Sequence, residues 1–281
     1  MKYGLLAKLA CISFLFLFAF GCQTQTVSNL ANKANSNAPL NNANGANQSN
    51  SQTKISEPQT VKFISADNVE IVGTFYESAK ANSPAVLLLH QWGSDRESYD
   101  EFARKIQAKG FGVLAIDGRG FGESVKTSDG ASVAADRGDE TVKGMKADVD
   151  NAFQFLAKQK NVDAARIGIV GASYGSSLAM IYGAQNKQVK AVALLSPGLN
   201  YFGNLPIEAA VNDFGNRPLL FVAASDDNES ADSSLKLFKS AEGLNNNWTL
   251  QIYPKGGHGT GIFAAKVGLE DLLEQFLTKS L

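Results

Sequence analysis

One short motif carries a residue that could act as a nucleophile. Gly171-Ala172-Ser173-Tyr174-Gly175 is the only Gly-x-Ser-x-Gly sequence in the chain, between an apolar run and a helical pattern. A sharp strand-to-helix turn needs small residues around the serine, because the two backbones approach closely there. Such a turn would expose the Ser173 hydroxyl at the end of a strand, where it could attack a carbonyl carbon. The alternative is a tight turn in which Ser173 only caps the helix.

A serine becomes a strong nucleophile only when a base takes its proton, and the chain has two histidines. His258 lies in a glycine-rich stretch, residues 253–260, between the last predicted strand and the last predicted helix. Glycines on both sides of a histidine favour a loop that reaches over a cleft. We therefore expect His258 to be the general base, whereas His90 is expected to organise the turn that it begins.

The base in turn needs a carboxylate that fixes its tautomer. Asp226 and Asp227 follow the strand predicted over residues 219–224, and both lie between Ser173 and His258 in the chain. Asp227 is the preferred partner of His258, and Asp226 is the alternative. Because Asp-Asp-Asn is also ordinary turn composition, a solvated turn is the simpler interpretation.

Alternating strand and helix patterns predict the scaffold that positions these residues. Apolar runs without alternation are typical of strands buried on both faces, and amphipathic runs predict the helices between them. The predicted strands are residues 61–65, 69–76, 85–89, 112–116, 167–170, 189–195, 219–224 and 248–252, and the predicted helices are residues 98–109, 141–159, 174–185, 231–242 and 262–277. The first two strands predict an antiparallel hairpin. The whole pattern predicts an α/β fold with a mostly parallel eight-stranded sheet and helices on both faces, whose reactive groups gather at the carboxyl ends of the strands.

Four stretches within residues 60–281 resemble the α/β-hydrolase superfamily, particularly its dienelactone-hydrolase-like and serine-esterase branch. They are Leu88-Leu89-His90-Gln91-Trp92-Gly93, Asp117-Gly118-Arg119-Gly120-Phe121-Gly122-Glu123-Ser124, the Ser173 motif, and Pro218 to Asp227 together with Gly257-His258-Gly259-Thr260. The chain order serine, acid, histidine is the order expected of this fold. The resemblance implies a Ser173–His258–Asp227 triad that transfers an acyl group to water through an acyl-enzyme.

The resemblance also implies an oxyanion hole. In similar hydrolases one backbone N–H comes from the residue after the nucleophile, here Tyr174, and another from the loop after strand three, here Trp92. The family often has glycine straight after the histidine of that loop, whereas this chain has Gln91, which could itself be the donor.

The segment between two of the predicted strands, residues 196–217, is short where many relatives insert a helical lid. A minimal lid predicts an open cleft for a small or extended ester. Phe202, Leu205 and Phe214 could line the cleft, which would favour apolar acyl groups, or could close the core.

Three charged residues outside the motifs have expected structural roles. Asp117 and Arg119 could form a buried ion pair that braces a turn, and Asp148 is expected to be an acid on a helix face. None of the three is expected to be catalytic.

Composition excludes several other kinds of function. The net charge is −1, from 26 basic and 27 acidic residues, so nucleic acid is not an expected partner. Two histidines, no cysteine after Cys22 and no His-Glu-x-x-His leave no expected metal site, and the glycine clusters lack dinucleotide-binding spacing, so no cofactor is expected. The expected substrate is a small-molecule ester or acyl compound. A peptidase or thioesterase on the same triad, and a non-catalytic binding module with the same fold, are the alternatives.

The first residues predict export. Residues 1–21 contain two lysines, no acid and an apolar run, which is typical of a signal peptide. Ala19-Phe20-Gly21-Cys22 resembles a bacterial lipoprotein signal, in which the cysteine is lipidated and becomes the new N-terminus; a plain secretory signal is the alternative. Residues 22–59 are rich in asparagine and predict a disordered tether. The expected arrangement is a hydrolase domain, residues 60–281, anchored through Cys22 to a membrane on its periplasmic or cell-surface side.

Overall fold

The computed structural model of the protein describes residues 55–240 and 247–281. The strands are β1 (Gln59–Ile64), β2 (Glu70–Tyr76), β3 (Ser83–Leu89), β4 (Gly112–Ile116), β5 (Val162–Ala172), β6 (Val189–Leu195), β7 (Asn200–Tyr201), β8 (Leu205–Pro206), β9 (Leu219–Ala224) and β10 (Trp248–Tyr253). The helices are α1 (Asp100–Ala108), α2 (Asp139–Ala157), α3 (Tyr174–Gln185), α4 (Glu208–Phe214), α5 (Asn228–Lys239), α6 (Gly261–Ala264) and α7 (Leu269–Ser280), and a 3₁₀ turn (Arg96–Tyr99) precedes α1. The predicted signal peptide, residues 1–21, the proposed lipidation site Cys22 and nearly all of the predicted tether lie outside the described residues.

Eight strands form one sheet in the order β1-β2-β4-β3-β5-β6-β9-β10. The β1–β2 and β2–β4 pairs are antiparallel, and the five remaining pairs are parallel. The predicted hairpin and the mostly parallel eight-stranded sheet are therefore confirmed.

Helices cover both faces of this sheet, which explains why its strands lack polar alternation. Successive side chains of β3 enter two different apolar cores, with Leu87 and Leu89 in one and Val86 and Leu88 in the other. Helices α2, α3, α4 and α5 contribute to the first core, whereas α1, α6 and α7 contribute to the second. A strand buried on both faces gains stability from every side chain, so an uninterrupted apolar run is the expected sequence.

The end of the chain differs from its prediction. One helix was expected over residues 262–277, but α6 and α7 are separate, so that prediction is wrong. In the segment between α6 and α7, Lys266 has a φ of 51° and Gly268 a φ of 88°. A residue in the left-handed region cannot continue a right-handed helix, so the chain turns before α7 begins.

The segment between β6 and β9 carries only the small β7–β8 hairpin and the short helix α4. Phe202 and Gly203, in the three-residue loop between the paired residues Tyr201 and Leu205, have φ values of 60° and 81°, left-handed conformations that let the hairpin turn tightly. Leu205 and Phe214 are 0% and 2% exposed and belong to the core, so they do not line a cleft. Phe202 is half-buried and packs on Trp92.

Two buried ion pairs replace the one that was expected. Asp117 does not pair with Arg119: its carboxylate accepts the backbone N–H of Arg96 at 2.8 Å and also pairs with that guanidinium. Arg119 instead reaches α2, where its Nε donates to Asp148 at 2.8 Å, and it also pairs with Asp67 in the β1–β2 turn. Asp148 is accordingly buried rather than exposed on a helix face. Asp117 and Arg119 do not pair with each other because their side chains point in different directions from the same turn, one toward Arg96 and the other toward α2.

Within the two stretches that the structure describes, no helix has both the length and the apolar content needed to span a bilayer.

Candidate active site

Ser173 occupies a sharp turn between β5 and α3, with φ 54° and ψ −125°. Its backbone N–H donates to the carbonyl of Leu195 on the neighbouring strand at 2.8 Å, which holds this left-handed conformation. A Cβ on Gly175 would lie 2.5 Å from the carbonyl oxygen of His90, and a Cβ on Gly171 would overlap the Gly175 carbonyl. Both glycines of the motif are therefore required by close backbone approach.

The structure brings Ser173, His258 and Asp227 into one hydrogen-bonded chain. The Nε2 atom of His258 lies 2.7 Å from Ser173 Oγ, and its Nδ1 atom lies 2.7 Å from Asp227 Oδ2. The three residues follow β5, β10 and β9, whose carboxyl ends meet at one edge of the sheet. A carboxylate that accepts the Nδ1 proton leaves the Nε2 lone pair free to accept the serine proton, so this arrangement can do nucleophilic chemistry.

The three side chains differ in exposure. Ser173 is 6% exposed, and the side chains of Asp227 and His258 are 15% and 42% exposed. Ser173 therefore lies at the bottom of the candidate site, and the imidazole borders on solvent.

Asp226 faces a different part of the histidine loop. Its carboxylate accepts the backbone N–H groups of Gly256 and Gly257, each at 3.0 Å from Oδ1. These hydrogen bonds, that from Gly257 first, lower the pKa of Asp226. Asp227, and not Asp226, lies against the imidazole of His258.

His90 holds the turn that follows β3. Its Nε2 accepts the backbone N–H of Gly118 at 2.9 Å, so Nδ1 carries the proton and donates to the carbonyl of Gln91 at 2.7 Å. Burial lowers the pKa of His90, which favours this neutral form.

The three oxyanion-hole candidates lie around the start of α3. Tyr174 is the first residue of α3, where backbone N–H groups lack acceptors within the helix. Trp92 lies in the loop after β3, and its ring meets that of Tyr174 edge-on at 5.7 Å. The Oε1 atom of Gln91 accepts the backbone N–H of Thr260 at 2.7 Å, so this oxygen faces the histidine loop. The oxyanion-hole roles of Tyr174, Trp92 and Gln91 stay predictions.

Sequence reasoning missed two side chains at the rim of the site. The Tyr201 hydroxyl donates to the carbonyl of Ser196 at 2.8 Å, and its ring lies edge-on to His258 at 6.5 Å. The guanidinium of Arg137 lies over the rings of Trp92 and Phe202, at 5.2 and 5.0 Å from their centres. Both residues come from segments without a motif, and the only signal was the short aromatic pair after β6.

In the part of the chain that the structure describes, no group of three His, Cys, Asp or Glu side chains is placed to hold a metal ion. The site's own chemistry-bearing groups are a hydroxyl, an imidazole and a carboxylate.

Comparison with known proteins places the chain in a family. The sequence profile of the dienelactone hydrolase family matches residues 71–267, well over half of the chain. A thiohydrolase of Aspergillus aculeatus is 27% identical over 149 residues, which cover 52% of this chain and 44% of that protein. The matched segments span less than half the length of such curated relatives.

Solved structures share the fold. An esterase of Pyrococcus furiosus superposes with a TM-score of 0.65 at 18% identity, covering 84% of this chain and 96% of its own. An acylaminoacyl peptidase of Pyrococcus horikoshii gives 0.67 at 19% identity, covering 81% of this chain and 42% of its own. The chain has the α/β-hydrolase fold and belongs to the dienelactone hydrolase family.

Proposed function

We propose that the protein is a serine hydrolase that cleaves carboxylic esters through an acyl-enzyme on Ser173. The observation that carries the proposal is the pair of 2.7 Å contacts that join Ser173, His258 and Asp227. Membership of the dienelactone hydrolase family supports it.

In the first half of the reaction His258 Nε2 takes the Ser173 proton while Oγ attacks the ester carbonyl carbon. The backbone N–H groups of Tyr174 and Trp92 stabilise the oxyanion, each contributing about 3 kcal/mol. His258 then gives the proton to the departing alkoxide, the ester C–O bond breaks, and the acyl group stays on Ser173.

In the second half a water molecule replaces the alcohol. His258 takes a proton from this water, whose oxygen attacks the acyl carbon, and the Ser173 oxygen leaves with the proton that His258 returns. Asp227 holds the imidazole in the productive orientation and balances its charge in both halves.

The surroundings of Ser173 favour a small or extended substrate with an apolar acyl group. Trp92, Tyr201 and Phe202 are half-buried at the rim, and the rings of Trp92 and Phe202 meet at 4.8 Å. Because the His258 side chain is partly exposed, the side of the site where the alcohol would depart is open to solvent. Apolar walls bind a short acyl chain by removing its surface from water.

Thioester hydrolysis is the second candidate, because a thiohydrolase is among the relatives. The same triad could cleave a thioester, since a thiolate is a better leaving group than an alkoxide and depends less on a proton from His258. A peptidase, suggested by a structural neighbour, would place the greatest demand on proton donation by His258. A non-catalytic binding module is the remaining alternative.

The test compares one acyl group on three leaving groups. We expect purified full-length protein to hydrolyse p-nitrophenyl butyrate with a higher kcat/KM than a butyryl thioester or a butyryl anilide. Ser173→Ala should lower kcat for the ester by about 10⁴-fold or more, because the nucleophile is gone. Ser132→Ala, an exposed serine outside the site, is the matched control.

Two results would contradict the proposal. Undiminished ester hydrolysis by Ser173→Ala would remove the serine mechanism. Faster hydrolysis of the thioester than of the ester would favour the second candidate.

The proposal extends to location. We infer that the protein is exported and anchored through a lipid on Cys22, on the periplasmic or cell-surface side of a membrane. What supports this is the signal-like run of residues 1–21 and the small residue before Cys22.

A further inference from the structure

The loop that carries His258 is held by side chains from outside it. Four of its backbone N–H groups, two before the histidine and two after it, each donate to a side-chain oxygen. The acceptors are Asp226 for Gly256 and Gly257, Ser196 for Gly259, and Gln91 for Thr260.

Asp226 holds the side of the loop that precedes His258. A single oxygen, Oδ1, accepts both N–H groups at 3.0 Å, and Oδ2 makes a second contact with Gly256 at 3.1 Å. Gly257 has a φ of 69°, a conformation that glycine adopts as one of many. Without an external acceptor this part of the loop would have a wide choice of conformations.

Ser196 and Gln91 hold the side that follows His258. The buried Ser196 hydroxyl accepts the Gly259 N–H at 2.9 Å. Gln91 Oε1 accepts the backbone N–H of Thr260 at 2.7 Å and its hydroxyl at 3.2 Å. These two acceptors follow β6 and β3, and Asp226 follows β9, so three strand ends fix one loop.

We propose that Asp226, Gln91 and Ser196 are positioning residues that keep the His258 imidazole on the Ser173 hydroxyl. The inference rests on the proposed serine mechanism and gives these residues a task that the triad does not contain. A shift of about 1 Å in a catalytic group can cost on the order of 100-fold in rate, so holding this loop has a direct kinetic value. Loss of one of these contacts should lower kcat rather than raise KM, because the contacts position the base and do not bind the substrate.

Asp226 offers the sharpest test, since one oxygen makes both main contacts. Asp226→Asn keeps that oxygen, whereas Asp226→Ala removes it. With full-length protein and p-nitrophenyl butyrate we expect Asp226→Ala to lower kcat by about 10- to 100-fold with KM within about twofold. Asp226→Asn should stay within about threefold of the wild type in kcat.

Two further variants calibrate this result. Asp227→Asn should lower kcat by about 10⁴-fold, because it removes the carboxylate that sets the imidazole tautomer. Asp232→Ala, an exposed acid on α5, should leave both constants unchanged.

Gln91 gives an independent test if Asp226→Ala does not fold. Gln91→Leu should lower kcat more than Gln91→Glu, which retains an oxygen at the same position. Melting temperatures of all variants show whether a loss of rate reflects a loss of folded protein.

Three outcomes would overturn the inference. They are a wild-type kcat in both Asp226→Ala and Gln91→Leu, equal losses in Asp226→Asn and Asp226→Ala, and a loss in Asp226→Asn as large as in Asp227→Asn. The last would make Asp226 the triad acid. Each of them leaves Ser173→Ala inactive, so a failure of the inference can be told from a failure of the proposed function.

Discussion

The two histidines of the chain lie in opposite environments, and this separates their tasks. His90 is buried, with both ring nitrogens in hydrogen bonds to the backbone, whereas His258 borders on solvent and lies between a hydroxyl and a carboxylate. Both nitrogens of His90 are occupied by backbone groups, whereas Nε2 of His258 contacts the Ser173 hydroxyl, whose proton it could accept. His90 therefore stabilises the turn after β3, and His258 remains the only candidate base.

His90 makes the stability of the protein depend on pH. Burial lowers the pKa of His90 in the folded protein, whereas an unfolded histidine has a pKa of about 6.5. As the pH falls below that value the unfolded state takes up a proton that the folded state does not, so the free energy of unfolding decreases. Between pH 7.5 and pH 5.5, the urea midpoint of unfolding should fall further for the wild type than for His90→Gln.

The control for this measurement is Ser132→Ala, an exposed substitution that retains His90. It is expected to keep the wild-type loss on acidification. Equal losses in the wild type and His90→Gln would show that His90 does not carry the effect.

The sequence predicted how the catalytic candidates meet, but not how the surrounding charges pair. Ser173, Asp227 and His258 each follow a strand of one parallel sheet, so topology alone brings them to the same edge. The prediction of an Asp117–Arg119 pair was wrong because each residue pairs with one that is distant in the chain, Asp117 with Arg96 and Arg119 with Asp148. Nothing local in the sequence indicates which way such side chains turn.

At the scale of elements, the packing of α3 explains why small residues follow Ser173. Every residue from Tyr174 to Ala184 is buried, because the helix lies between the sheet and the helices α2 and α4. Its second residue, Gly175, lies against the end of β3, so side-chain size there is limited by backbone.

Two substitutions to alanine in α3 should differ in their effect on stability. Gly175→Ala should lower the free energy of unfolding by about 3 kcal/mol, because its Cβ would lie 2.5 Å from the His90 carbonyl oxygen. Ser177→Ala should be neutral or stabilising by up to about 1 kcal/mol, because the described residues give the buried Ser177 hydroxyl no hydrogen-bond partner. Urea unfolding of both variants measures the difference.

The result that would contradict this account is a Gly175→Ala variant as stable as the wild type. It would mean that β3 and α3 can separate at the Ser173 turn without a loss of stability.

Element boundaries were most predictable where a buried apolar run ends at residues that favour a turn. β4, β6, β9 and α3 begin and end at the predicted residues, since each is an apolar run that ends at a turn. The last helix was predicted as one element because its apolar periodicity continues through the break. The break depends on backbone conformation at Lys266 and Gly268, which periodicity does not report.

At the scale of the molecule, the sheet gathers five strand ends around the candidate active site. β3, β5, β6, β9 and β10 lead to Gln91, Ser173, Ser196, Asp227 and His258, respectively. The two buried cores that hold these strands therefore also fix the geometry of the site.

The proposed anchor concerns the whole chain and has its own test. In a bacterial host the full-length protein should sediment with membranes, and Cys22→Ser should release it, because the proposed lipid would be attached to that thiol. Cys11→Ser is the matched control, since Cys11 and Cys22 are the two cysteines of the chain. Membrane association that persists in Cys22→Ser would rule out this anchor.

The most direct test of the central claim is to find the residue that becomes covalently modified. A fluorophosphonate reacts with a serine only where a neighbouring base activates it, and mass spectrometry of the digested protein locates the adduct. We predict one adduct, on the peptide that contains Ser173, which disappears in Ser173→Ala and is strongly reduced in His258→Ala. An adduct on another residue, or an unmodified Ser173 in protein that still hydrolyses esters, would contradict the account.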